Sequence, residues 1–205
     1  MKILHRQVTV TAEVPVSTTH LDDFLRSKCA PDVLPFFQCN EPAKEITESM
    51  AAFRWAKKAL GWDSPHSGAN PAKREDVVCL VVGDGVLPRT GALVAHKSRW
   101  YVTSVDPLLR IHDPCIRNVK RLVCIQAKIE DVQGDACGAN VGVILAVHSH
   151  APLQVAWDKV RAERKVCVAM PCCVKQDLEG LEPWKEVRDP GVLSDKNLVR
   201  IWRTW

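Results

Sequence analysis

The sequence predicts a doubly wound α/β fold, with a mostly parallel sheet flanked by helices. Strand-like apolar runs alternate with helix-like stretches from residue 76 onward, the order expected of strands joined by crossover helices. The apolar runs are continuous rather than alternating, which indicates strands buried on both faces and therefore a parallel sheet. The predicted strands are 77–82, 100–105, 121–127, 141–147 and 165–170, and the predicted helical connectors are 89–98, 107–119 and 152–164.

The first two strands end on residues suited to holding a nucleoside. The run Val77–Val82 stops at Gly83-Asp84-Gly85, and the run Trp100–Val105 ends on Asp106. Glycines let a backbone turn tightly and approach a ligand, and a helix that follows such a turn presents unpaired N–H groups. A carboxylate at the end of the neighbouring strand can accept hydrogen bonds from ribose hydroxyls. We therefore expect an adenosine-containing ligand.

The spacing of the glycines argues against a nicotinamide dinucleotide. The dinucleotide fingerprint is G-x-G-x-x-G, but here Pro88 holds the third glycine position and the next glycine is Gly91. The pattern instead resembles the class I S-adenosylmethionine-dependent methyltransferases, a Rossmann-like superfamily, over roughly residues 76–178. This resemblance implies S-adenosylmethionine as cofactor, held by Gly83, Asp84, Gly85 and Asp106, with Glu130 or Asp131 facing the adenine amine. Two surface acids at the end of a strand are the alternative for Glu130 and Asp131.

The fourth predicted strand ends in His148-Ser149-His150, where the resemblance places a catalytic or substrate-binding motif. Amino-methylating members usually carry Asp or Asn, two prolines and an aromatic residue there, so this chain departs from N6-adenine methylation. Residues two apart in extended backbone point to the same side, and a neutral imidazole can act as a general base. We therefore take His148 and His150 as the candidate catalytic residues. Structural hydrogen bonding to loop backbone is the alternative.

The fifth predicted strand ends in Pro171-Cys172-Cys173. If the fourth and fifth strands are neighbours, two histidines and two cysteines meet on one rim, a composition that can bind zinc or activate a thiolate. Adjacent residues of an extended chain point in opposite directions, however, and zinc-binding cysteines are usually separated by at least two residues. The sequence therefore predicts thiols that pack beside the pocket and no metal ligands.

Length and pattern predict a single compact domain in two parts. Residues 1–75 form an N-terminal extension packed on a core of residues 76–205. Within the extension the predictions are a strand in 3–16, a loop over 29–43, a helix from Ala43 to Leu60 ending at Gly61, and a linker over 63–73. The tail LVRIWRTW is predicted as one more strand, with Arg200 and Arg203 facing solvent.

Composition restricts the cellular compartment and the kinds of partner that we expect. The nine cysteines include no C-x-x-C pair, which favours a reducing compartment such as the cytoplasm. We expect neither a membrane span nor a signal peptide, because no apolar stretch approaches about 18 residues. The formal net charge of +4 is too mild to imply RNA.

Two classes of function follow. The first is a methyltransferase that binds S-adenosylmethionine and acts on an unidentified acceptor, either RNA or a small molecule. The second is a non-catalytic methyltransferase-like module that binds RNA or protein in a larger assembly, favoured by the departures at Gly91 and His148. A nicotinamide oxidoreductase is a third, weaker alternative, because no hydride-transfer site is identifiable.

Overall fold

The computed structural model describes residues 17–61, 70–133, 137–173 and 177–205. The extension contributes α1 (Thr19–Leu25), the single turn α2 (Ala30–Val33), a 3₁₀ turn at Leu34–Phe37, the long helix α3 (Pro42–Ala59) and a 3₁₀ turn at Pro71–Lys73. The core contributes β1 (Val77–Val82), α4 (Arg89–Lys97), β2 (Tyr101–Val105), β3 (Leu122–Ile125), a 3₁₀ turn at Ile129–Asp131, β4 (Cys137–Val147), α5 (Leu153–Lys159), β5 (Val160–Met170), β6 (Lys185–Arg188) and β7 (Leu198–Arg203).

These strands form one seven-stranded sheet in the order β3-β2-β1-β4-β5-β7-β6. Neighbouring strands from β3 to β5 are parallel, whereas β7 is antiparallel to both β5 and β6. The strand order reverses between β1 and β4, and ligands of doubly wound folds bind at such a switch point. The predicted doubly wound, mostly parallel fold is confirmed.

Both faces of the sheet are covered, as the continuous apolar runs predicted. Val77, Cys79 and Val81 of β1 pack into one core with the residues of α3 and α4. Leu80 and Val82 point to the opposite face, where they join a second core built with α5. Successive strand residues point to opposite faces, so only a strand covered on both sides has six buried positions in a row.

The extension is packed closely against the sheet. Helix α3 lies on the first core and places Phe53 edge-on against Trp100, with ring centroids 5.3 Å apart. His20 of α1 and Trp55 of α3 both contact the buried carboxylate of Asp189, which lies between β6 and β7. Helix α3 ends beside Gly61, whose φ of +95° suits the predicted helix terminus.

Three predictions of local structure are wrong. Residues 107–119 form turns instead of a helix, because Pro107 and Pro114 interrupt the helical hydrogen bonds. The helix predicted over 152–164 ends at Lys159, because residues 160–164 pair with the first residues of the long strand β4. Residues 29–43 contain α2 and a 3₁₀ turn rather than a continuous loop.

The prediction that Arg200 faces solvent is also wrong. Its side chain is buried, and Nε donates a hydrogen bond of 2.8 Å to Glu186 Oε2. The reason is that β7 lies between β5 and β6 in the sheet, so the tail is an interior strand. The strand predicted in 3–16 and most of the predicted linker fall outside the described residues. None of the helices in the described part of the chain combines the length and apolar character needed to cross a bilayer.

Candidate functional site

A cavity of about 450 Å³ opens at the carboxyl ends of β1, β2 and β4, at the switch point of the sheet. Its volume is in the range of small-molecule sites. The walls come from the glycine turn, from the loops after β2 and β3, and from the loop after β4. The lining residues are Gly83, Val105, Asp106, Pro107, Leu108, Ala127, Lys128, Ile129, Glu130, His148, Ser149, His150, Ala151 and Pro152.

The glycine turn after β1 depends on glycine at two positions. Gly83 has φ of +69° and Gly85 has φ of +80°, in the left-handed region that residues with a Cβ adopt at a cost. A Cβ at Gly83 would also lie 2.7 Å from Cβ of Ser149 and even closer to Oγ of Ser149. The turn therefore lets the loop after β4 approach β1 closely.

Asp106 lies beside this turn, as the sequence predicts. One carboxylate oxygen accepts a hydrogen bond of 2.9 Å from the N–H of Gly85, and the other accepts one of 2.7 Å from Leu108. Asp106 lines the cavity and is largely buried. Each carboxylate oxygen has a second lone pair, so Asp106 retains the capacity to accept hydrogen bonds from a ligand.

Asp84 has a different role from the other residues of the turn. Its carboxylate is buried and accepts hydrogen bonds from the N–H groups of Thr90 and Gly91 and from the hydroxyl of Ser104, each 2.9 Å long. Burial raises the pKa of Asp84, although these hydrogen bonds oppose the shift. Asp84 thus ties the turn to the start of α4 and to β2, and it is not among the residues that line the cavity.

The late glycine, Gly91, is explained by the same contacts. A Cβ at Gly91 would lie 3.1 Å from Asp84 Oδ2 and 3.1 Å from Ser104 Cβ. Gly91 therefore allows α4 to pack against the buried carboxylate. Its position reflects helix packing and not the approach of a pyrophosphate.

Glu130 and Asp131, the two acids after β3, differ in their position relative to the cavity. Both belong to the 3₁₀ turn Ile129–Asp131, but only Glu130 lines the cavity. Asp131 is exposed and lies outside the cavity lining. Of the two acids, Glu130 is therefore the one placed to meet the contents of the cavity, and Asp131 fits the alternative of a surface acid at the end of a strand.

His148 lies between the cavity and a buried acid that sequence reasoning missed. Its Nε2 is 2.8 Å from Oε1 of Glu48, a fully buried residue of α3. The two groups are close but not aligned for a hydrogen bond: among the described residues, neither ring nitrogen of His148 and neither oxygen of Glu48 has an aligned hydrogen-bond partner. Both nitrogens are buried, although His148 itself lines the cavity. His148 also has φ of +49°, which turns the chain sharply out of β4.

No pattern in the sequence distinguishes Glu48 from Glu45, because both lie in the first half of α3. Only the packing of α3 on the sheet brings Glu48 to the end of β4. Ser149, which packs on Gly83, was likewise not predicted as a site residue.

His150 meets both cysteines that follow β5. Its Nε2 is 3.1 Å from Sγ of Cys172 and 3.2 Å from Sγ of Cys173, and the two sulfur atoms are 3.4 Å apart. The expectation that adjacent cysteines point in opposite directions is therefore wrong here, because the chain has left the extended conformation at this point. Burial on its own raises the pKa of Cys172, but hydrogen bonds with Cys173 and His150 bring it below the ordinary value.

Comparison with protein-family models and with curated proteins gives no match. Several solved structures are similar to this chain. The 1,6-didemethyltoxoflavin-N1-methyltransferase of Burkholderia thailandensis, with bound 1,6-didemethyltoxoflavin and S-adenosylhomocysteine, is 18% identical with a TM-score of 0.46, over 95% of this chain and 92% of that one. A variant of MtNAS in complex with S-adenosylmethionine is 15% identical with a TM-score of 0.43, over 84% and 70%. A TehB-like SAM-dependent methyltransferase of Corynebacterium glutamicum is 12% identical with a TM-score of 0.37, over 74% and 97%.

The resemblance to methyltransferases noted from the sequence thus recurs among solved structures. Identities below 20% and TM-scores below 0.5 make this a likeness of fold that decides nothing about activity. What the chain can do has to be inferred from its own cavity and side chains.

Proposed function

We propose that this protein is an S-adenosylmethionine-dependent methyltransferase that acts on an unidentified acceptor, RNA or a small molecule. The observation that carries the proposal is the open cavity at the switch point, where the glycine turn and the carboxylate of Asp106 form adjoining walls. Doubly wound folds bind adenosine-containing ligands at this position.

The cavity walls suit the parts of the cofactor. Asp106 would accept hydrogen bonds from the ribose hydroxyls, since each of its oxygens keeps a free lone pair. Leu108, Ala127 and Ile129 supply apolar surface for the adenine ring. Glu130 lies on the same side of the cavity and would accept a hydrogen bond from the adenine amine.

The remaining predicted cofactor residues act less directly in this proposal. Gly83 lines the cavity and makes room for Ser149, which also lines it. Asp84 and Gly85 hold the turn in place, Asp84 through the start of α4 and Gly85 through its N–H bond to Asp106. We assign Asp131 no contact with the cofactor.

In methyl transfer the main task of the protein is to position the cofactor and the acceptor. When bound, S-adenosylmethionine supplies a methyl group activated by its positively charged sulfur. The protein aligns the acceptor atom and removes its proton where the acceptor carries one. We place His148 and His150 on the acceptor side, because both line the cavity at the end of β4. Of the two, only His150 is exposed.

One observation favours the alternative of a non-catalytic methyltransferase-like module. Both ring nitrogens of His148 are buried near Glu48, so His148 would have to rotate before it could take a proton from an acceptor. Such a module would bind the cofactor, RNA or a protein without transferring a methyl group.

Isothermal titration calorimetry with S-adenosylmethionine, S-adenosylhomocysteine and NAD tests the cofactor assignment. We expect binding of the first two, none of NAD, and a loss of affinity of at least about tenfold in Asp106→Ala, since hydrogen bonds to a charged group contribute about 1.5–3 kcal/mol. Asp131→Ala is the matched control and should bind normally. Failure of the folded wild-type protein to bind either adenosine compound would overturn the proposal.

Turnover separates the enzyme from the module. Purified protein incubated with labelled S-adenosylmethionine and pools of RNA or small molecules should label an acceptor, and His150→Ala should lower turnover more than cofactor affinity. Cofactor binding without any transfer would favour the module. The proposed location is the cytoplasm, in keeping with the eight cysteines of the described part of the chain, none of which forms a disulfide.

A further inference from the structure

We propose that His150, Cys172 and Cys173 bind a thiophilic divalent cation, with zinc as the representative ion, at the edge of the cavity. The proposal goes beyond methyl transfer and does not depend on it. It rests on three side chains from two loops that converge on one point. Imidazole nitrogen and thiolate sulfur are the ligands that zinc prefers.

The fold brings these loops together. Strands β4 and β5 are adjacent and parallel, and the last pair in their register is Val147 with Met170. The ladder continues one step further, because the N–H of His148 donates to the carbonyl of Met170. The chains that leave the two strands therefore start side by side, and the Sγ of Cys172 lies 3.9 Å from the carbonyl oxygen of His148.

The three ligand atoms already have nearly the separations that a metal requires. With Zn–S bonds of about 2.3 Å and Zn–N bonds of about 2.0–2.1 Å, two ligand atoms of a tetrahedral site lie about 3.5–3.8 Å apart. The observed separations are 3.1, 3.2 and 3.4 Å. A spread of a few tenths of an ångström, within reach of small side-chain rotations, would place all three atoms on one face of a tetrahedron.

Exposure distinguishes Cys173 from the seven other cysteines of the described part of the chain, which are buried or half-buried. Cys79 and Cys167 are fully buried and act as small apolar side chains in the two cores. Cys172 is half-buried, and neither Cys172 nor Cys173 packs into either core, so apolar packing does not account for them. Both are accessible to an ion from solvent.

Three protein ligands leave one coordination position for water or another molecule, the arrangement of zinc sites that react or exchange ligands. His150 also lines the cavity. An ion held by this cluster would therefore lie at the cavity edge and bring a positive charge there.

Cobalt substitution tests the site on the full chain. Reduced, metal-free protein titrated with Co²⁺ should bind one ion per chain, with the visible bands of a tetrahedral ion and thiolate-to-cobalt charge-transfer bands in the near ultraviolet. Zn²⁺ should displace the cobalt and remove both sets of bands. Cys172→Ser and Cys173→Ser should each show roughly half the charge-transfer intensity of the wild-type protein, because one thiolate of two remains, and should bind Co²⁺ at least about tenfold more weakly. Cys39→Ser, a half-buried cysteine outside the cluster, is the matched control.

Two outcomes would overturn the proposal. One is that the reduced wild-type protein, with all its thiols titratable, develops no charge-transfer bands with Co²⁺. The other is that Cys172→Ser and Cys173→Ser keep the full charge-transfer intensity of the wild-type protein. Mass spectrometry before and after addition of reductant verifies that Cys172 and Cys173 enter the titration as thiols.

Discussion

The carboxylate of Glu48 lies 2.8 Å from Nε2 of His148, and this contact joins the first half of α3 to the end of β4. Glu48 is fully buried, whereas His148 reaches the cavity surface. A carboxylate enclosed by protein is costly unless a positive or hydrogen-bonding group accompanies it. The contact therefore explains why an acid is tolerated in the interior of α3 and why the imidazole is held at this place.

We expect His148→Ala to destabilise the protein by about 3 kcal/mol, because the substitution leaves the Glu48 carboxylate buried without a partner. The double variant Glu48→Met, His148→Ala should be more stable than His148→Ala alone. Denaturant unfolding followed by circular dichroism measures four proteins: the wild type, His148→Ala, Glu48→Met and the double variant. His112→Ala, at an exposed position outside the cavity lining and the cysteine cluster, is the control and should change stability by less than about 0.5 kcal/mol. If the two substitutions prove additive, the pair is not coupled as we describe.

Glu130 provides a test of how the adenine ring is recognised. Glu130→Ala should weaken binding of S-adenosylhomocysteine about tenfold, because an acceptor for the adenine amine is lost. The corresponding inosine compound carries no amine, so its affinity should be the same for wild-type and variant proteins. Calorimetry of both ligands gives the comparison, and Asp131→Ala controls for the loss of a nearby negative charge. Equal weakening for both ligands would show that Glu130 does not contact the amine.

Substitutions at Gly83 and Gly180 together test the close approach of Ser149 to the glycine turn. Both have φ of +69°, but a Cβ at Gly83 would collide with Ser149, whereas at Gly180 no described residue other than its chain neighbours lies within 4 Å. Gly180→Ala should cost about 1–2 kcal/mol from the left-handed backbone alone. Gly83→Ala should cost clearly more, and Ser149→Gly should recover part of the difference. Thermal or urea unfolding measures these changes; equal losses at the two glycines would mean that the loop after β4 does not press on β1.

The contacts of Asp189 predict that the link between the extension and the sheet loses stability in acid. Burial on its own would raise the pKa of Asp189, but His20, the N–H of Gly191 and the Trp55 indole hold it at about 2, below the ordinary value of 3.8. A carboxyl whose pKa is lowered by folding stabilises the protein above its unfolded pKa. That contribution is lost as the pH falls from about 4 through 2.

Asp189→Asn should therefore lower the urea midpoint at pH 6 and make it less dependent on pH between 4 and 2. Unfolding curves recorded across that range provide the measurement. Asp195→Asn, an exposed acid in the same loop, is the control and should retain the pH dependence of the wild-type protein. A wild-type slope that persists in Asp189→Asn would assign the acid sensitivity to other carboxyls.

Much of the sheet could be predicted from local pattern. The run Val77–Val82 coincides with β1, and the tail predicted as a strand contains β7, because apolar runs buried on both faces leave a clear signal. Errors arose where long-range contacts override that signal. Residues 160–164 have helical spacing but pair with β4, and Arg200 has the charge of a surface residue but lies in an interior strand.

The sequence by itself determined the doubly wound fold and the position of Asp106 beside the glycine turn, because strand periodicity and glycine turns are properties of short segments. Only the tertiary structure decided which polar side chains share a site. Glu48 meets His148 through the packing of α3 on the sheet, and His150 meets Cys172 and Cys173 through the pairing of β4 with β5. The tertiary structure also decided that Asp84 points into the protein, where its carboxylate holds the start of α4. Contacts between distant segments depend on how whole elements pack, and no local pattern records that.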